Sequence, residues 1–101
     1  MAAFLYEFEW DPVKARTNFS KHGVDFERAA AVFLDPLAVT IPDEEHSGTE
    51  RRWVTVGKDG TGHDVLVVHT FEWLAENRAR VRVISARKPT RAEIRACEEQ
   101  G

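Results

Sequence analysis

The chain is short of sulfur, of long apolar runs and of any large excess of charge. One cysteine, Cys97, among 101 residues excludes an intramolecular disulfide framework and any CxxC metal or redox motif, and fits a reducing compartment. No stretch approaches the roughly 18 consecutive apolar residues that a membrane-spanning helix needs. The opening MAAFLYEFEW has neither the basic start nor the small-residue cleavage site of an export signal, so a cytoplasmic location with no membrane contact is expected. With 14 Lys and Arg against 17 Asp and Glu, the net charge of −3 argues against a protein that coats polyanions by bulk charge. There is no repeat, linker or low-complexity segment, and the length suits one modest core, hence a single domain over residues 1–101.

What is present is uneven. Residues 1–50 carry ten acids against four Lys and Arg, whereas residues 51–101 carry ten Lys and Arg against seven acids. Between Arg78 and Arg95 seven basic residues meet one acid, Glu93. An anionic partner is therefore sought in the C-terminal half, nucleic acid being the commonest polyanion.

Periodicity places the elements. Phe4, Tyr6, Phe8 and Trp10 alternate with Leu5, Glu7 and Glu9, the pattern of a half-buried strand. Asp11-Pro12 starts a short helix that Gly23 ends. Asp25 caps a second helix, FERAAAVFLD, with Phe26, Ala29, Ala30 and Phe33 on one face and Pro36 closing it. Strands are predicted at 37–41, 51–57, 64–71 and 78–86, the middle two joined by the turn KDGTG. After Pro89, Thr90 and Glu93 have capping-box spacing and begin a final helix. The order β-α-α-β-β-β-β-α predicts an α+β domain with a largely antiparallel sheet of four to five strands, two helices on one face and a short C-terminal helix.

The stretch PDEEHSGTERRW, residues 42–53, collects His46, Ser47, Glu50, Arg51 and Arg52. An imidazole exchanges protons near neutral pH and a guanidinium matches a phosphate, so the set suits phosphoryl chemistry; the plainer reading is a solvated connection. Alternation sends Arg51 and Arg52 to opposite faces of their strand, so at most one lines a given site. Arg80 and Arg82 share one strand face, and Arg87 and Lys88 follow beyond its end. His69, in phase with Val65 and Val67, is read first as a hydrogen-bonded core residue. His46, His63 and His69 match no zinc-ligand spacing, so no metal is assigned. Trp53, Phe71 and Trp73 have ring faces suited to base stacking, though large aromatics in strands are mostly core.

FEWDPVKARTNFSKHGVDFERAAAVFLDP, HSGTERRWVTVG and RVRVISARKPTRAE together resemble the BrnT toxins of bacterial type II toxin–antitoxin systems. The resemblance runs from about Phe8 to Glu99, with three motifs in the family's order. It implies a RelE-like fold and a ribonuclease that inhibits translation and growth. It also implies a BrnA-like antitoxin whose ribbon-helix-helix part binds operator DNA, the toxin reaching that DNA only through the antitoxin and acting as co-repressor. By motif, His46, Glu50, Arg52 and Trp53 fall in the family's HS..E.RW segment, and Arg82, Ser85, Arg87 and Lys88 in R.ISARK. Cys97 stands where the family usually has a tyrosine.

The expected reaction is metal-independent and cofactor-free: a ribose 2′-hydroxyl attacks the adjacent phosphate while the protein moves protons and stabilises charge. The expected catalytic set is His46 for proton transfer, Arg52 and Arg82 on the phosphate, and Glu50 orienting His46 or an arginine. Arg51, Trp53, Arg80, Arg87 and Lys88 are the expected RNA contacts. Two rivals stand beside this: a catalytically inactive antitoxin-binding co-repressor, and a metal-dependent hydrolase built on His46, His63 and His69.

Overall fold

A computed structural model describes residues 3–45, 48 and 50–100. The first strand, β1, is Leu5–Glu9, and helix α1 is Pro12–His22. Asp11 accepts the Val13 N–H at 2.8 Å and opens α1, while Gly23, at φ 70°, closes it in the left-handed region that glycine enters without strain. Helix α2, Phe26–Ala31, starts where Asp25 accepts the Arg28 N–H at 2.7 Å. The predicted ten-residue helix does not run through: Val32–Leu34 tightens into a 3₁₀ turn before Asp35. The remaining elements are β2 (Val39–Pro42), β3 (Trp53–Lys58), β4 (Asp64–His69), β5 (Glu72–Ala75), β6 (Arg78–Arg87) and α3 (Arg91–Gln100).

The α+β class holds, with three helices, but the sheet is mixed and six-stranded instead of antiparallel with four or five. Its order is β1-β6-β4-β3-β2, with β5 pairing β6 as well. The first correction is that β1 lies parallel to β6, Leu5 beside Arg78 and Glu9 beside Arg82. Pairing so distant in sequence leaves no local trace. The second is β5: the predicted strand 64–71 stops at His69, and after a break at Thr70 and Phe71 the chain resumes against the first half of β6.

The two faces of the sheet differ. One carries Val65, Val67, Val81, Val83 and Ala86, packed under Val24, Phe26, Ala29 and Val32 of the α1–α2 layer. The other carries Val56 and Leu66, which Cys97 of α3 covers in part. At Gly57 the connection before β2 presses onto β3; an added Cβ would lie 2.8 Å from that of Ala38 and 3.0 Å from Val32 Cγ1, so only glycine fits without a shift.

Among the described residues, the C-terminal half of β6 has β4 on one side and no strand on the other. Asn18 of α1 takes that place. Its Nδ2 donates to the carbonyls of Ala86 at 2.8 Å and Val24 at 3.0 Å, and its Oδ1 accepts the Ala86 N–H at 3.1 Å. One amide side chain thus makes both bonds that a neighbouring strand would make, and its 6 % exposure shows how fully it is enclosed.

Helix α3 is tethered by its capping box. Thr90 Oγ1 accepts the Glu93 N–H at 3.1 Å, Glu93 Oε1 accepts the Thr90 N–H at 2.8 Å, and Arg87 grips the same carboxylate through two nitrogens at 2.8 and 2.7 Å. The Arg87 hydrogen bonds above all hold the Glu93 carboxyl down to about 2 from an ordinary 4.5. A depressed carboxyl stabilises the fold above its unfolded pKa and loses that contribution as protons bind the folded form. The tether therefore acts fully above about pH 4.5 and fades toward pH 2. Glu93→Gln, which keeps the cap acceptor but not the charge, should lower stability by about 1 kcal/mol at pH 7, the scale of a half-exposed ion pair. Urea midpoints of mutant and parent should converge near pH 2.

Candidate functional site

The face turned away from α1 and α2 is arranged by a β-bulge. His69 stands opposite Val83, whereas Val68 stands opposite Ser85, so β6 has one extra residue near Ile84. Strict alternation would send Arg82 and Arg87 to opposite faces. The bulge resets the phase, and Arg80, Arg82, Ser85 and Arg87 all share the open face; sequence periodicity carried no signal for it. Thr70 fixes the backbone there, its N–H donating to the Arg82 carbonyl at 3.0 Å and its hydroxyl accepting the Arg82 N–H at 3.3 Å.

Two hollows occupy this face. A groove of about 470 Å³ runs beside α3, with Arg52, Ser85, Arg87 and Glu93 among apolar Val54, Leu66 and Val68. A hollow of about 480 Å³ lies by β5, where Arg51, Arg80 and Arg82 meet Glu9, Glu50 and Glu72. Arg52 thus belongs to the first and Arg82 to the second, together with Arg51, whose guanidinium lies 4.7 Å over the Trp53 ring. Arg51 and Arg52 line different hollows, but both hollows lie on this face, because the two residues precede β3 and strand alternation does not reach them. Lys88 is exposed at the turn after β6. His46, Ser47 and Thr49 lie outside the described residues.

The cationic ribbon is far less bare than its sequence neighbourhood implied. Arg78 pairs with Glu7 at 3.1 Å, Arg80 with Glu72 at 3.0 Å and with Glu9 at 3.9 Å, Arg82 with Glu50, and Arg87 with Glu93 at 2.7 Å. Parallel β1 brings Glu7 and Glu9 alongside, and the return of the 43–52 loop brings Glu50. Counting acids along residues 78–95 could not see partners from residues 7, 9, 50 and 72. Such half-exposed pairs add little stability, about 0–1 kcal/mol each. They hold the guanidinium groups in place and partly neutralise them.

His69 is fully buried on the other face, as the core reading expected. Its Nδ1 lies 2.9 Å from the Thr70 carbonyl, which only accepts, so Nδ1 carries the proton. Nε2 then accepts from the Thr55 hydroxyl at 2.7 Å, and Thr55 accepts from the Thr40 hydroxyl at 2.7 Å. Burial lowers the His69 pKa below 6.5, outweighing the Thr70 bond. Because the unfolded chain takes up this proton first, stability should fall as the pH drops below about 6.5. NMR titration should show His69 taking up its proton at a lower pH than a histidine of the unfolded chain.

His63 sits at the start of β4, hydrogen-bonded to Thr61 at 2.6 Å, and His69 at its far end, roughly 20 Å away at the rise of an extended strand. The two cannot share an ion. No group of three His, Cys, Asp or Glu placed to hold a metal occurs among the described residues, nor is any helix among them long and apolar enough to cross a membrane.

Comparison with known proteins places this geometry. A family model described as "Ribonuclease toxin, BrnT, of type II toxin-antitoxin system" matches residues 10–93. A crystal structure of the Brucella abortus ribonuclease toxin BrnT is similar in fold, with TM-score 0.62 at 24 % identity, covering 86 % of this chain and 100 % of its own. No curated protein gives a significant match.

Proposed function

Because the chain belongs to the BrnT family of ribonuclease toxins of type II toxin–antitoxin systems, and so has an antitoxin as its implied partner, we propose that it is itself an endoribonuclease that cuts RNA on the open face of its sheet without a metal ion or other cofactor. The observation that carries this reading is the Arg82–Glu50 pair, where the end of the PDEEHSGTERRW loop meets the middle of the arginine-bearing strand. Arg82 receives the scissile phosphate and Glu50 aims its guanidinium. The ribose 2′-oxygen attacks phosphorus as its proton leaves to His46, the phosphorus–5′-oxygen bond breaks, and the departing oxygen regains a proton, leaving a cyclic phosphate and a 5′-hydroxyl. Arg51, Trp53 and Arg80 hold RNA on one side of the pair, and Arg52, Arg87 and Lys88 the backbone on the other. Cleavage of mRNA in the cytoplasm stops translation and growth. A BrnA-like ribbon-helix-helix antitoxin covers the face, and the pair represses its operon through antitoxin-bound operator DNA. The arrangement of helices on one side and arginines on the other is what a RelE-like toxin would have.

Purified, antitoxin-free protein should cut RNA equally well with and without a chelator, and its expression should arrest growth until the neighbouring antitoxin gene is supplied. Chelator-sensitive cleavage would overturn the metal-free mechanism, and intact RNA would overturn the enzyme. The acid matched to each arginine of β6, and Cys97 where a tyrosine hydroxyl is usual, favour a second reading: a member that binds antitoxin and co-represses without cutting. Tight antitoxin binding with uncut RNA would establish it.

A further inference from the structure

The edge of the sheet has a notch. Strand β3 begins only at Trp53, opposite His69, so among the described residues none continues that ladder alongside residues 70–73. Phe71 stands in the notch and lines two hollows at once. On one side is the arginine-lined hollow around Arg51 and Arg82. On the other is a pocket of about 340 Å³ walled by the rings of Tyr6, Trp53, Phe71 and Trp73, with Thr40 and His69 behind them.

Phe71 meets Trp73 edge to face at 5.2 Å and 81°, and Phe4 meets Trp73 at 5.6 Å and 86°, while Tyr6 lies nearly parallel to Phe8 at 5.8 Å and 24° and tilts against Phe33 at 5.3 Å. Tyr6 is held by these neighbours, and each edge-to-face contact covers at most one face of one ring. Trp73 is 63 % exposed although it shares its register with Ala79 of the core face. Core packing does not account for a tryptophan left so open. Arg51 meanwhile lies on Trp53 and lines the charged hollow, joining the two.

An arginine-bearing hollow and an aromatic pocket divided by one phenylalanine have the layout of a nucleotide, whose charged group and planar base are linked through a sugar. We propose that the pocket of Tyr6, Trp53, Phe71 and Trp73 stacks a nucleobase of the bound strand while the adjoining phosphate rests on Arg51 and Arg82. The proposal rests on the RNA reading above. The polar groups behind the rings are already engaged, Thr40 with Thr55, Thr55 with His69 and His69 with Thr70. The pocket therefore takes bases by stacking, with little choice among them.

The test uses the full-length, antitoxin-free chain and its own tryptophan fluorescence. Adenosine 5′-monophosphate should quench saturably and bind more tightly than ribose 5-phosphate. Trp73→Ala, on an exposed side chain, should weaken the adenosine nucleotide about tenfold, the scale of one lost stacking platform, and leave ribose 5-phosphate unchanged. Trp73→Phe should retain most of the affinity. Equal binding of the two probes, or an unaltered nucleotide affinity in Trp73→Ala, would overturn the proposal. So would a Trp73→Ala variant that loses antitoxin but keeps the nucleotide, since the surface would then be the antitoxin's. Stacking with uncut RNA would refute the ribonuclease alone. Cleavage as fast on RNA lacking the base beside the scissile phosphate as on intact RNA would refute the pocket alone.

Discussion

Arg82→Ala should reduce RNA cleavage by about 10²-fold or more while leaving the protein folded. The magnitude is that of removing a single preorganised donor from the place where charge develops. The fold should survive because the Arg82 side chain is 43 % exposed and its partner Glu50 53 % exposed, so their pair contributes at most about 1 kcal/mol. Arg82→Lys should recover only part of the rate, since an ammonium restores charge but not the planar fork that grips two oxygens. Growth arrest on expression should follow the cleavage rate through the series. A Tm within a few degrees of the parent's, measured on the same preparations, separates chemistry from stability. Full cleavage and full toxicity in Arg82→Ala would remove this arginine from the reaction.

The second large effect lies far from that face. Asn18→Leu, nearly equal in size, should lower the unfolding free energy by about 3 kcal/mol, seen as a shifted urea midpoint at unchanged slope. The leucine leaves the buried Ala86 N–H and carbonyl and the Val24 carbonyl without their partner, and each unpaired buried group costs about 1–3 kcal/mol. Asn18→Asp should be as damaging at neutral pH, because it can still accept from Ala86 but turns a carboxylate toward two carbonyl oxygens. Its carboxyl pKa should rise on folding, so its deficit should shrink in acid, where the protonated form donates again. Equal deficits for Leu and Asp at pH 4 would contradict the donor role of Asn18.

The features legible in the sequence were those that a few consecutive residues decide. Asp11-Pro12 and Gly23, Asp25, and the Thr90–Glu93 spacing mark helix ends because capping joins a side chain to backbone two or three residues away. Alternation put His69 with the core valines. What escaped depends on partners remote in the chain. Nothing near Leu5–Glu9 says that its neighbour is Arg78–Arg82, and parallel pairing is what turns a run of arginines into a lattice of ion pairs. The extra residue near Ile84 is defined only against β4. The short EWLA strand holds because β6 is already there; alone, those four residues have no period strong enough to read. His46, the proton carrier expected from the sequence, lies outside the described residues, so its part in the reaction is a question for His46→Ala kinetics.

Parallel pairing of β1 with β6 also bears on how the molecule comes into being. Residues 5–9 are made well before residues 78–82, their hydrogen-bonding partners. The loop between them must close before that pairing returns any free energy, and ladders joining segments distant in sequence fold slowly for this reason. Until Arg82 is translated, the acids of β1 have no guanidinium groups beside them and the core valines of β6 do not exist. The arginine-bearing face therefore cannot form until residues 78–82 have been made.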